Sequence, residues 1–466
     1  MYKPIQASNR KNKPVLLVLV LVLLLINSSY THAQTRRQPN VIVILVDDMG
    51  YGDIGCFGGN FVPTPNLDRL AKSGLKLERY YSAAPICSPS RAGMLTGNYP
   101  GRWNFCTFLA TKEHNKKAEQ TDFLSTDAPS IARFFKKAGY ATGHFGKWHM
   151  GGGRDVLNAP AFSEYGFDEH ASTYESPQPD PLLTATDWIW SDKDSIKRWD
   201  RTKYFVDKTL SFLAKNKSKP CFINLWPDDV HTPWVPKADD DDGTVYPKNR
   251  EGEAAFKRVL KELDVQVGRL MDGLKQLNIE DNTIVIFTSD NGPMPGFKGS
   301  RSGGLRGSKL SLYEGGIRMP FIISWPGHIP AGRTDMNSVV TALDLLPSLS
   351  KICGVNLPAG YKADGVDRAA VLKGKPSARP ADIFWEYGRN NIAYSYPKAL
   401  DKSPALAIRS GRWKLLMNED GSDRELYDML ADPLEKMNIV SNNEKIAAQL
   451  QVKLQNWWSH LPKLKE

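Results

Sequence analysis

The chain has 466 residues, 41% hydrophobic and 24% charged, an ordinary globular composition with enough length for a large core. Four of its 61 basic residues and none of its 51 acidic ones fall within the first 33 positions, so the formal charge of +10 leaves +6 for the remainder. That mild excess, without any Lys/Arg run interleaved with aromatics, excludes a nucleic-acid binder and suits an anionic substrate, or simply a basic surface.

The first predicted element is a leader. Lys3, Arg10, Lys11 and Lys13 precede the apolar run VLLVLVLVLLLI at 15–26, and a polar stretch ends in Thr31-His32-Ala33. This order reads as a secretory signal peptide over 1–33. The run is short of the roughly 20 residues that a membrane span needs. An uncleaved anchor is the alternative, and no cysteine follows the run to suggest a lipoprotein. The expected location is periplasmic or secreted, with no stable membrane span after cleavage.

Residues 40–46, NVIVILV, form a β-branched run ending in Asp47-Asp48. Such a run fits a strand buried on both faces. Similar runs recur at 221–226, 282–290 and 319–325. Helical patterns lie around 65–74, 129–139, 201–215, 252–277 and 339–353. The alternation predicts an α/β fold with a large, mixed, mostly parallel sheet sandwiched by helices. Ligands of such sheets sit at the carboxyl ends of strands, where Asp47, Asp48, Asp290 and Asn291 fall. Residues 171–200, rich in Pro, Asp, Ser and Trp, read as a long surface loop. From about 380 the texture shifts to short strands, a hairpin and a last helix over roughly 443–458. The expected division is therefore a main domain over 34–379 and a small α+β subdomain over 380–466.

Three groups of residues carry chemistry. Cys87-Ser88-Pro89-Ser90-Arg91 places a cysteine where Pro89 suits a first helical turn. Helix N-termini favour anions, and Arg91 lies one turn on; a packed helix start with an idle cysteine is the plain alternative. Asp47-Asp48 and Asp290-Asn291 close two buried-strand patterns. Carboxylates and an amide that converge need a hard cation, calcium or magnesium; the plain alternative for each pair is a turn or helix cap. Lys147 and His149 (GKWH), His231 (HTPW) and Lys309 (RGSK) stand in loops after strand-like segments, although any one of them alone reads as solvated or structural. Five cysteines, 56, 87, 106, 221 and 353, leave one over from any pairing. Cys56, Cys106, Cys221 and Cys353 could form two bridges, in three connectivities, or stay as buried thiols. The second is favoured because a domain this size needs no staples.

Taken together, CSPSR resembles the C-x-P-x-R signature of the formylglycine-dependent sulfatases of the alkaline phosphatase superfamily. NVIVILVDDMGYGDIGCFG, GKWH, HTPW, TSDNG, GLRGSK with EGGIRMPFIISWPG, and the tail ALAIRSGRWKLL to ELYDMLADPLEKMNI resemble further family segments in the family's order. The resemblance covers roughly 40–460; the segments near 102–128 and 151–200 match nothing placeable. It implies an alkaline phosphatase-like fold and sulfate-ester hydrolysis on a sulfated carbohydrate. It also implies conversion of Cys87 to formylglycine (3-oxoalanine) by a formylglycine-generating or anaerobic sulfatase-maturating enzyme, so that the hydrated aldehyde is the nucleophile and a sulfoenzyme the intermediate. One calcium, with magnesium as the alternative, would be held by Asp47, Asp48, the modified Cys87, Asp290 and Asn291. Arg91 and Lys147 would stabilise the diol, His149 would act as the base, and His231 and Lys309 would bind sulfate and protonate the leaving oxygen. Loop tryptophans 103, 188, 190 and 199 suit sugar stacking, or plain packing. Phosphodiester or phosphonate ester hydrolysis is the rival activity within the superfamily, and a non-catalytic glycan-binding relative is the rival from another class.

Overall fold

A computed structural model describes residues 1–4, 38–186, 189–237, 252–388 and 402–463. Residues 1–4 are exposed and without regular structure; the rest of the predicted leader, and Trp188, lie outside the described residues. No helix among the described residues is long and apolar enough to cross a membrane.

Among the described residues, nine strands form the main sheet: β1 (Asn40–Val46), β2 (Leu75–Tyr81), β3 (Ala141–Gly146), β4 (Glu169–Ser172), β5 (Cys221–Trp226), β6 (Thr283–Ser289), β7 (Arg318–Ser324), β8 (Arg333–Asp335) and β9 (Val340–Thr341). The order is β4-β3-β5-β1-β6-β7-β2-β8, with β9 also on β2. From β4 to β6 every pairing is parallel. β7 runs antiparallel to both β6 and β2, which makes the sheet mixed.

Strand β1 shows why the sequence folds this way. All seven residues are buried, and side chains alternate between faces with a period of two. Val41, Val43 and Leu45 join one core; Ile42, Ile44 and Val46 join the other. The main helices are α1 (Pro65–Lys72), α2 (Cys87–Thr96), α3 (Ile131–Lys137), α4 (Arg201–Lys215), α5 (Glu253–Gln276), α6 (Leu345–Cys353) and α7 (Glu444–Ser459). Leu95, Ile131 and Leu349 bring α2, α3 and α6 onto the first face. Leu67, Phe205 and Leu263 bring α1, α4 and α5 onto the second.

The helical reading of 339–353 is corrected at its start. Val340–Thr341 is strand β9, and the α-helix begins at Leu345. Thr341 caps the short 3₁₀ turn Ala342–Asp344 that leads into the helix, its N–H donating to the Asp344 carboxylate at 2.8 Å in a capping box, so the helix starts here and does not extend back through 339–341.

A second, antiparallel sheet runs in sequence order through β10 (Ile383–Glu386), β11 (Leu406–Ser410), β12 (Trp413–Met417) and β13 (Glu425–Asp428). One face packs on α7 through Ala447, Leu450 and Leu454. The other packs through Trp385, Ala407, Leu416 and Tyr427 against Tyr81, Ile86 and Cys87. The second sheet thus backs the start of α2.

A buried ion triad ties it down. The Lys414 Nζ lies 3.1 Å from Glu314 and 2.7 Å from Glu435, with all three side chains 0% exposed. Removing one partner of a buried pair leaves uncompensated charge and typically costs about 3–5 kcal/mol. Lys414→Met is therefore expected to lower unfolding stability by about that amount in a denaturant titration. A loss below about 1 kcal/mol would show that the carboxylates simply protonate and repack.

Candidate active site

Helix α2 begins at Cys87. Ile86 is extended, at φ −152° and ψ 153°, and Pro89 sits in the first turn, where the backbone N–H groups have no helical partner in any case. Gly97, at φ +67°, closes the helix. All ten residues of α2 are buried. Burial pushes the Cys87 thiol up, against the pull of Lys147 and Lys309.

The Arg91 fork closes on acceptors rather than on the helix start. Its Nε and Nη2 donate to Asp290 Oδ2 at 2.9 and 2.7 Å, Nη2 to Asp47 Oδ1 at 3.1 Å, and Nη1 to the Lys147 carbonyl at 3.0 Å. A fully buried guanidinium has five donors to satisfy, and Asp290 and Asp47 pair its charge here.

Four adjacent parallel strands deliver the other groups at their carboxyl ends: β3 brings Lys147 and His149, β5 leads to His231, β1 ends at Asp47 and Asp48, and β6 ends at Asp290 and Asn291. Gly146 makes the β3 exit tight. Its φ is +125°, and a Cβ there would lie 1.9 Å from the Trp226 carbonyl oxygen, so only glycine fits. Asp48 and His149 take left-handed backbone at φ +56° and +54°, a strained choice for non-glycine residues that clusters at functional sites.

The carboxylates of Asp47, Asp48 and Asp290 offer oxygens within 4.8 Å of one another, all buried. Lys147 Nζ lies 2.7 Å from Asp47, and Lys309 Nζ 2.7 Å from Asp48. Burial raises the Asp47 carboxyl, but Lys147, His231, Arg91 and Lys309 hold it well below the usual range. Burial pushes Asp290 up in spite of Arg91, with Asp47 adding to the push. Asn291 Nδ2 donates to Asp48 Oδ1 at 2.8 Å, while Asn291 Oδ1 is buried with no hydrogen-bond partner among the described residues. Three carboxylates and an orphaned amide oxygen fit a hard, oxygen-seeking cation. Arg91, Lys147 and Lys309 already balance the three acids, so a divalent cation would leave the site positive and receptive to an anion.

A cavity of about 280 Å³ opens here, walled by Asp47, Cys87, Lys147, His149, His231 and Lys309 among others. The predicted site residues thus converge, Arg91, Asp48, Asp290 and Asn291 lying directly behind the wall. Sequence reasoning missed Arg154, Glu175, Arg198 and Asp228, which also line the cavity. Residues 171–200 are accordingly not a mere surface loop: Tyr174, Ser176, Asp194 and Arg198 are buried, because ion pairs of Arg198 and Arg201 with Asp228, and of Arg201 with Asp194, pull the segment inward. No sequence signal marked Glu175; paired charges in a Pro-rich segment look solvated until their partners are known. Trp103, Trp190 and Trp199 are half-buried and not among the cavity-lining residues; Trp103 packs on the core. No disulfide joins the described cysteines; Cys106, Cys221 and Cys353 are buried and Cys56 half-buried.

Comparison with solved structures identifies the architecture as that of the alkaline phosphatase-like α/β enzymes. A Bacteroides thetaiotaomicron structure concerned with metabolism of multiple glycosaminoglycans superposes with TM-score 0.74 at 26% identity, covering 91% of this chain and 100% of that one. Ps i-CgsB in complex with k-i-k-neocarrahexaose gives TM-score 0.72 at 28% identity, covering 90% and 93%. The profile of the Sulfatase family matches residues 39–355, and that of the N-sulphoglucosamine sulphohydrolase C-terminal region matches 308–460. The chain belongs to the sulfatase family and is a sulfuric ester hydrolase. Among curated relatives, the N-acetylgalactosamine-6-O-sulfatase of Bacteroides thetaiotaomicron is 28% identical over 90% of this chain and 93% of its own length. The N-acetylgalactosamine-6-sulfatase of Canis lupus familiaris is 33% identical over 80% and 73%, and human arylsulfatase A 30% over 85% and 78%.

Proposed function

We propose that this chain is an exported enzyme that removes sulfate from a sulfated oligo- or polysaccharide, using formylglycine made from Cys87 by a maturating enzyme and one calcium ion. The observation that carries the reading is the convergence of three carboxylates, two lysines and Arg91 around a cysteine at a helix N-terminus. The relatives named for sulfated amino sugars support a carbohydrate substrate, and the basic, apolar leader supports export.

Asp47, Asp48, Asp290, Asn291 and the modified Cys87 would hold the cation. The oxidised Cys87 would supply a hydrated aldehyde as nucleophile, and the cation Lewis acidity toward a sulfate oxygen. Arg91 fixes Asp47 and Asp290 in place and keeps their charge compensated. Lys147 and Lys309, each on a cation-site carboxylate, face the cavity as sulfate-binding charges. His149 is the base.

His231 is the leaving-group acid. Its Nδ1 lies 2.5 Å from the Thr232 carbonyl oxygen, which only accepts, so Nδ1 carries a proton. Nε2 faces Asp48 Oδ2 at 3.5 Å, and the ring donates there only as imidazolium. Burial holds His231 down to about 4, with Asp48 pulling the other way; an incoming sulfate adds the negative charge that favours protonation.

The test is a panel of sulfate and phosphate esters. Sulfated sugars should be turned over with kcat/KM well above the matching phosphate esters, and a preference for phosphate would overturn the reading. His231→Ala should lose ~10²–10⁴-fold on a sulfated sugar, whose alkoxide needs a proton, and much less on an aryl sulfate. Equal losses would pass the acid role to Lys309.

A further inference from the structure

The two segments without family motifs, around 102–128 and 151–200, meet at His149. The His149 Nε2 lies 3.0 Å from the Leu109 carbonyl oxygen and 3.2 Å from Glu175 Oε2. Both neighbours accept hydrogen bonds and neither donates, provided that Glu175 is ionised. Burial alone would raise the Glu175 carboxyl, but His149, Lys147 and Arg154 together hold it at about 2. Arg154 Nη2 donates to Glu175 Oε1 at 2.8 Å, so the carboxylate has a fixed bearing. The backbone agrees: the His149 N–H donates to the Glu175 carbonyl at 3.0 Å, which clamps a residue held at positive φ.

Leu109 is itself positioned by the cysteine motif. Its N–H donates to Ser88 Oγ at 3.0 Å, one residue beyond Cys87. A chain of contacts therefore runs from Ser88 through Leu109 to the ring of His149. On the ring's other nitrogen, Nδ1 is buried without a hydrogen-bond partner among the described residues. The charged groups facing the ring are Glu175, Lys147 and Asp47.

We propose that Glu175, with the Leu109 carbonyl, is the positioning element of the base: it fixes His149 as the Nε2–H tautomer and so reserves the Nδ1 lone pair for accepting a proton in the cavity shared with Cys87. This rests on the base role given to His149 above. In this role Glu175 acts through the imidazole, as outer partners of functional histidines do. Ser88, conventional as a helix-start residue, gains a second task in holding Leu109.

Two arms test it. In unmodified protein carrying Cys87 as thiol, ¹⁵N-labelled at its eight histidines, the resonance lost in His149→Gln should have the shift pattern of an Nε2–H imidazole. An Nδ1–H pattern overturns the proposal, and this arm reads out even without turnover. In matured enzyme, Glu175→Gln keeps the shape and removes the charge. Its kcat on a sulfated sugar should fall about 10- to 100-fold with KM within about threefold, and Glu175→Asp should recover part of the loss. Wild-type activity in Glu175→Gln overturns the proposal while leaving the sulfatase reading intact; wild-type enzyme inert on every sulfate ester would instead defeat that reading.

Discussion

Cys87→Ala is expected to abolish sulfate-ester hydrolysis, by at least ~10⁴-fold in kcat/KM, while the protein stays folded. Cys87 packs with Tyr81, Ile86 and Leu310 in a buried cluster, so losing one sulfur from a small side chain costs only about 1 kcal/mol of packing. The lysines, Arg91 and the carboxylates keep their mutual pairs, because none of those contacts runs through the cysteine. The charge pairing of the site is thus retained, while the nucleophile and the one cation ligand that it would supply are lost. Steady-state assay beside a thermal melt separates the two: substantial residual turnover with an unchanged melt would mean that water or another side chain attacks sulfur.

The second large effect concerns the cation. Chelation should lower turnover by about 10³-fold or more, the equivalent of about 4 kcal/mol of barrier, and calcium should restore it. Zinc should not, since the donors are carboxylate and amide oxygens without thiolate or imidazole ligation. The apparent affinity for the cation should also weaken as pH falls. Burial favours the protonated form of Asp290, so binding must displace that proton, and lower pH supplies more of it. Titration calorimetry at two pH values reads this directly. An affinity independent of pH would take Asp290 out of the ligand set, and full activity after chelation would remove the cation from the account.

Much of this site was legible because strand ends announce themselves. The β-branched run at 40–46 stops dead at Asp47-Asp48, and the run before Asp290-Asn291 does the same; a period-two buried strand cannot continue through adjacent acids. Cys87 and Pro89 marked a helix start by backbone chemistry alone. Strands β2 and β3 were harder to see. β2, LKLERYY, interleaves Lys76, Glu78 and Arg79 with its apolar residues, as a strand nearer the sheet edge does. β3, ATGHFG, carries two glycines and a histidine, all with weak strand preference. The inner wall of the cavity was invisible for a different reason. Arg198 and Asp228 are buried, and Arg154 and Glu175 half-buried, in pairs that form across sequence gaps of 30 and 21 residues, and no local pattern encodes such pairing. The loop tryptophans stayed ambiguous in the sequence because an indole in a polar segment suits sugar stacking and core packing equally well; Trp103 packs on the core.

The most direct measurement is the mass of the tryptic peptide Tyr80–Arg91 from enzyme produced with its maturating partner, taken together with activity on the same sample. The account predicts that the cysteine is replaced by formylglycine, and that specific activity across preparations rises in proportion to the converted fraction. A fully active preparation whose peptide still carries the unmodified Cys87 thiol would contradict it.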